Sequence, residues 1–189
     1  MRKLSVSTLV TVEGVVQDPG GFGETKDGGW AGPYFDDEAG RLAFEHVLAS
    51  DVFLLGRETY ELFKEYWTRA HEGDYAARIN SMPKLVASTT LHEPLEWNAR
   101  LIDGDIAEAI AKLKRDDGGD ILMYGSPKLM RMLAAHDLVD EYKLWIHPII
   151  LGGGKRLFAD GFEKSSLELV DVKSVSTGVV ILTYRPARS

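Results

Sequence analysis

Leu4, Val6, Thr8, Val10 and Val12 fall on alternate positions of residues 3–12, a period of two that predicts a first β-strand. The alternation stops between Asp18 and Pro33. There Gly20, Gly21, Gly23, Gly28, Gly29 and Gly32 surround Phe22 and Trp30. This composition predicts a long loop, either a lid whose aromatics close over a ring or a surface loop anchored by them. Residues 36–49 return to helical spacing, with Asp36 near the start and Phe44, Val47 and Leu48 on the apolar side. Residues 51–55 predict a second strand, followed by a helix carrying Tyr60, Leu62 and Phe63 and a short helix over 74–81. A strand at 84–88 and a short one near 100–102 come next, then a helix over 106–115 with Asp103 as its N-cap and Asp116-Asp117-Gly118-Gly119 as its end. Strand 120–124 leads to helix 127–135, where Ser126 is typed for the N-cap and Pro127 for the first helical position. Residues 139–150 predict a long strand bent at His147-Pro148, and two last strands, 166–175 and 178–185, a hairpin around Thr177-Gly178.

Strand and helix alternate first, and strands alone follow. That order predicts an α/β fold in three layers, α/β/α, with a mostly parallel central sheet and an antiparallel C-terminal hairpin. No internal repeat or linker interrupts it, so residues 1–189 are expected to form a single domain.

One local pattern occurs twice. The apolar strand Val52-Phe53-Leu54-Leu55 runs into Gly56-Arg57-Glu58-Thr59, and Ile121-Leu122-Met123-Tyr124 runs into Gly125-Ser126-Pro127-Lys128. A strand that ends in a glycine turn opening a helix aims free backbone N–H groups at an anion. Two such turns in one sheet suit a ligand with several phosphates. The bland alternative is an ordinary strand-to-helix turn with a solvated Arg57 at the first and a well-capped helix at the second. Ser88 and Thr89 end a strand where open α/β sheets bind ligands, or simply begin a polar loop. Gly152-Gly153-Gly154-Lys155-Arg156 either wraps a ligand closely or redirects a strand; ordering three glycines costs enough entropy to favour the former.

Composition narrows the chemistry. With no cysteine in 189 residues, disulfides, thiolate metal sites and cysteine nucleophiles are excluded, and a cytoplasmic location is expected. A net charge of −7 without a Lys/Arg cluster argues against nucleic acid, so any phosphate must meet local cations at Arg57, Lys84, Lys128, Lys155 or Arg156. No apolar run is long enough to span a membrane, and the basic N-terminus lacks a signal-peptide core. His46, His71, His92, His136 and His147 lack metal-ligand spacing, so no metal is expected. Gly-x-Gly-x-x-Gly, Walker and Gly-x-Ser-x-Gly motifs are absent. The acids Asp36, Asp37 and Glu38 sit at a helix start, where they serve the dipole or form an acid cluster near the loop.

Beside this reading stands a resemblance that covers nearly the whole chain. Thr11-Val12-Glu13-Gly14, Leu55-Gly56-Arg57-Glu58-Thr59-Tyr60, Lys84-Leu85-Val86-Ala87-Ser88, Met123-Tyr124-Gly125-Ser126 and the stretch from Asp140-Glu141 through Pro148 to Phe158 resemble the dihydrofolate-reductase-like superfamily. The resemblance is strongest to the reductase domain of the bifunctional riboflavin-biosynthesis deaminase-reductase and its stand-alone relatives. It implies NADPH, a small heterocyclic substrate with a C=N or C=O group, and a homodimer. It also implies cofactor contacts at Gly56, Arg57, Thr59, Ser88, Thr89, Gly125, Ser126, Leu129, Gly152 and Gly153, and substrate contacts at Gly14, Trp30 and Ile150. Glu13 is the candidate proton donor. The dimer expectation draws on Tyr142, Leu144, Ile146 and the run Val179–Leu182, more apolar surface than one sheet face needs. Folate or pterin reduction, and nucleotide binding without catalysis, are the alternative functions.

Overall fold

The computed structural model describes residues 1–69, 72–158 and 162–187; His71 lies outside the described residues. Its strands are β1 (Leu4–Thr11), β2 (Ser50–Gly56), β3 (Lys84–Ala87), β4 (Ala99–Leu101), β5 (Asp120–Tyr124), β6 (Glu141–His147), β7 (Leu167–Ser174) and β8 (Val180–Pro186). They form one eight-stranded sheet in the order β4-β3-β2-β5-β1-β6-β8-β7. The six strands from β4 to β6 run parallel, and β8 and β7 close one edge antiparallel. The helices are α1 (Asp37–Leu48), α2 (Arg57–Trp67), α3 (Gly73–Ser81), α4 (Ile106–Arg115) and α5 (Pro127–Ala135).

Both faces of the sheet are apolar because helices cover both. Along β2, Val52 and Leu54 pack with Ile110 of α4 and Leu129 and Leu133 of α5. Phe53 and Leu55 point the other way, to Val47 of α1, Tyr60 of α2 and Ile79 of α3. This gives the three-layer α/β/α arrangement that the alternation of strands and helices predicts. A third cluster joins Ala39 and Ala43 of α1 to Trp145 of β6 and Ile181 of β8.

Several boundaries differ from expectation. Asp105, not Asp103, caps α4 by accepting the Glu108 N–H at 2.9 Å, since the N-cap is the residue just before the first helical one, Ile106. Strand β6 ends at His147, because Pro148 has no N–H for a ladder, and the chain turns there through Ile149 N–H to His147 C=O at 2.8 Å. Leu48 is solvent-exposed at the end of α1, whose buried face is Ala39, Ala43, His46 and Val47. Tyr142 and Leu144 are buried within their own chain, whereas β7 is exposed along its whole length.

The functional geometry comes from one pairing that stops early. β1 pairs with β5 from Leu4–Ile121 to Ser7–Tyr124, then β5 turns away through Gly125 (φ +62°) and Ser126 (φ +55°). β1 continues to Thr11 beside β6 alone. A crevice therefore opens beyond the carboxyl ends of β2, β3 and β5, where open α/β sheets bind their ligands.

Candidate active site

Helices α1, α2, α4 and α5 begin in two different ways. Asp36 caps α1 by accepting the Ala39 N–H at 2.8 Å, and Asp105 caps α4. Helices α2 and α5 have no side-chain cap. Ser126 holds the N-cap position of α5 but its Oγ faces the neighbouring strand. It accepts the Gly56 N–H at 3.0 Å and lies 2.6 Å from Thr59 Oγ1. The first-turn N–H groups of both helices therefore stay open, with the positive ends of both dipoles on the same side. Gly56 is extended and is required for space: a Cβ there would stand 2.7 Å from Ser126 Oγ. At Ser126 the left-handed backbone costs about 1–2 kcal/mol, held by those two hydrogen bonds.

The two turns open onto one cleft of about 1560 Å3. Eight residues that the resemblance assigns to cofactor line it together: Gly56, Arg57, Thr59, Ser88, Thr89, Gly125, Ser126 and Leu129. Three of its cations, Arg57, Lys155 and Arg156, are held by nearby acids or backbone. Arg57 pairs with Glu61 at 3.1 Å, and Lys155 with Glu58 at 3.6 Å and Glu24 at 3.8 Å. The Arg156 guanidinium donates to the Glu13 carbonyl. Ser88 Oγ accepts the Thr90 and Leu91 N–H groups and lies 3.4 Å from Thr90 Oγ1, shaping its own turn.

The glycine-rich loop forms one side of the mouth. Its hub is Asp18, fully buried at φ +53°, whose carboxylate accepts the Phe22 N–H at 2.5 Å and the Thr25 N–H at 3.0 Å. Gly28 packs so closely over that carboxylate that a Cβ would stand 2.0 Å from it. Phe22 reaches across to Phe63 and Tyr66 of α2, with ring centroids 5.5 and 5.3 Å apart.

Comparison with known proteins gives this geometry a family. The profile of the RibD C-terminal domain matches residues 2–181. The chain belongs to the RibD C-terminal domain family. The uncharacterized protein YyaP of Bacillus subtilis (strain 168) is 30% identical over 187 residues, covering 97% of this chain and 94% of its own. The fold is shared with a protein from Shewanella sp. PV-4 assigned to riboflavin biosynthesis (TM-score 0.68, 21% identity, 98% and 99% of the two chains). It is shared too with the diaminohydroxyphosphoribosylaminopyrimidine deaminase/5-amino-6-(5-phosphoribosylamino)uracil reductase of Thermotoga maritima (TM-score 0.65, 15% identity). The match covers 98% of this chain and 57% of the Thermotoga chain.

This member of the RibD C-terminal domain family does not bring every expected residue to the cleft. Glu13 accepts the Leu151 and Gly152 N–H groups at 2.5 and 2.9 Å through one carboxylate oxygen, so it anchors the 151–154 turn. Glu13, Gly14, Ile150, Gly152 and Gly153 lie outside the cleft lining, though Lys155 and Arg156 enter it. Ile150 is 73% exposed. Trp30 is buried beneath the loop, its indole N–H on the Gln17 carbonyl at 2.8 Å and its ring edge-on to His147. Lys84 is fully buried, donating to the Asn80 carbonyl at 2.8 Å beneath the Trp97 ring; burial pushes its ammonium down to about 8. It cannot meet a phosphate in the cleft.

The far half of the cleft carries residues that sequence reasoning missed. Phe35, Phe44, Trp67, Tyr75, Tyr124 and Trp145 line it. The Tyr75 and Tyr124 hydroxyls are 3.1 Å apart. Burial pushes Tyr75 up to about 12 and Tyr124 well above the ordinary phenol value, so both stay protonated near neutral pH. The available signal was an excess of aromatics on α2, where Phe63, Tyr66 and Trp67 widen the stripe beyond the buried Tyr60.

Proposed function

We propose that this chain is an NADPH-dependent reductase that acts in the cytoplasm on a C=N or C=O group of a small flat heterocycle. The carrying observation is the pair of uncapped helix N-termini, α2 and α5, tied together by Ser126 at one cleft. A dinucleotide has the charge spacing to use both. In this reading the amides after Gly56 and Gly125 and the Thr59 and Ser126 hydroxyls hold the pyrophosphate, with Leu129 packed beneath. Arg57 with Ser88 and Thr89 takes the extra phosphate that separates NADPH from NADH. When bound, NADPH supplies the hydride, and the protein orients ring against ring and excludes water.

Family membership supports reductase chemistry of the kind named for the Thermotoga protein. Folate or pterin reduction draws less support: Asp37 and Glu38 are absent from the cleft lining, where α1 presents Gly40, Arg41, Ala43 and Phe44. We also propose a homodimer through the edge strand β7. Its Leu167, Leu169 and Val172, opposite Pro186, Tyr184 and Leu182, share one face and are 37–54% exposed.

A thermal-shift comparison tests the cofactor assignment. NADPH is expected to raise Tm more than NADH; equal shifts, or none, refute it. Strong NADPH binding without NADPH oxidation across a panel of pyrimidine, pterin and flavin substrates would instead favour a nucleotide-binding role without catalysis.

A further inference from the structure

The cleft is chemically divided. Arg57 and Lys128 belong to the two phosphate turns, Lys155 reaches Glu58 beside the first of them, and Arg156 is held on the Glu13 carbonyl. The other half, between α1, α3 and β6, has Arg41 as its one lining cation among the described residues, in an i,i+4 pair with Glu45 like the one Arg57 makes with Glu61. Asp74 lines the same half and brings negative charge. A phosphoester placed there would lose its hydration and meet a single cation beside the Asp74 carboxylate, where the other half offers several cations.

What this half offers is π surface. Phe44 and Tyr75 lie 6.3 Å apart between centroids, Tyr75 and Trp67 5.6 Å, and Phe35 stacks on Trp145 at 6.3 Å and 24°. Tyr75 also packs on the cluster that contains Trp145, which makes the wall continuous. Phe35 remains 43% exposed, a large apolar ring left to solvent at a concave site.

One directional polar group stands in this wall. Two hydroxyls 3.1 Å apart carry two protons, and their mutual hydrogen bond uses one. The second has no acceptor among the described contacts of either tyrosine. One of the two oxygens therefore carries a donor without a protein acceptor inside an aromatic pocket, suited to a carbonyl oxygen or unprotonated ring nitrogen.

We infer that the aromatic half of the cleft takes an unphosphorylated, flat heteroaromatic ring whose acceptor edge receives the spare proton of the Tyr75–Tyr124 pair. This rests on the reductase reading for the other half and departs from the phosphoribosyl substrate named for the Thermotoga protein.

The test is a pair of titrations of the full chain at saturating NADP+, followed by quenching of tryptophan fluorescence. Lumichrome, a flat tricycle with carbonyl and ring-nitrogen acceptors, is the first probe. Riboflavin 5′-phosphate, which adds a phosphorylated chain to the same rings, is the second. Lumichrome is expected to bind at least about tenfold more tightly, because the phosphate would lose its hydration beside Asp74 with only Arg41 to offset it. Tyr75→Phe combined with Tyr124→Phe, which removes both protons of the pair, is expected to weaken lumichrome about tenfold, the loss of one hydrogen bond, while NADP+ affinity stays unchanged. Phe44→Ala, which leaves the tyrosine pair intact, gives a second reading of the wall and is expected to weaken lumichrome as well. Equal or tighter binding of the phosphorylated probe overturns the inference, as does lumichrome binding indifferent to both variants, or no lumichrome binding by a protein that binds NADP+. Failure of NADP+ binding with lumichrome binding preserved would strike the reductase reading alone.

Discussion

Gly56→Ala is the sharpest perturbation of the site, because the obstacle is a single side chain. Gly56 sits at φ −81° and ψ 163°, a conformation that alanine adopts freely, so no backbone penalty is expected. The new Cβ would lie 2.7 Å from Ser126 Oγ and 3.1 Å from Ser126 Cβ. Ser126 must move, which leaves the half-buried Gly56 N–H and Thr59 Oγ1 without their partner. Two strained or lost hydrogen bonds of about 1 kcal/mol each, plus local overpacking, put the cost at roughly 2–3 kcal/mol. For a chain of this size that is a Tm drop of roughly 4–12 °C. The assay is chemical denaturation of wild type, Gly56→Ala, Ser126→Gly and the double variant, with NADPH binding measured on each. Removing Ser126's side chain removes the clash, so Gly56→Ala should become nearly neutral in the Ser126→Gly background, a coupling of about 2 kcal/mol. NADPH affinity should fall in all three variants. If Gly56→Ala costs the same with and without Ser126, the proposed crosslink between the two turns is wrong.

Three further outcomes are expected. Asp18→Ala should free the 18–33 loop by removing the acceptor for the Phe22 and Thr25 N–H groups, a loss of about 2–3 kcal/mol read as faster limited proteolysis in that segment; unchanged cleavage would contradict its role as hub. His46 is pushed down to about 3, first by burial and then by Lys143, against about 6.5 unfolded. The unfolded chain alone binds a proton in that window, so stability is full above about pH 6.5 and falls by roughly 1 kcal/mol per unit as pH is lowered toward 3. Denaturation midpoints should show that slope, and His46→Gln should flatten it; a pH-independent midpoint would refute it. Leu169→Glu with Val172→Lys should convert a dimer into a monomer by light scattering, and a wild type that is monomeric at every concentration would dismiss the interface.

The strands were legible because each obeys one local rule. Residues 52–55 and 121–124 are apolar on both faces, as strands sandwiched between helices must be. The two glycine turns were legible for the same reason: strand, glycine and helix are contiguous in sequence. What stayed hidden depends on contacts between distant residues. Ser126 is typed as a cap for its own helix, and nothing near it in sequence shows that its Oγ is taken by Gly56, 70 positions away. Glu13 read as a free acid, yet its carboxylate is occupied by the amides of Leu151 and Gly152, more than 130 positions on. Tyr75 and Tyr124 sit on different elements, so their paired hydroxyls had no sequence signature.

The crystal structure of the complex with NADP+ tests the central claim most directly. The pyrophosphate should lie between the N-termini of α2 and α5, within hydrogen-bond reach of the amides that follow Gly56 and Gly125, with the 2′-phosphate near Arg57. A cofactor bound by only one of the two turns, or held at the Glu13 and Gly152–Gly153 surface outside the cleft, would contradict it.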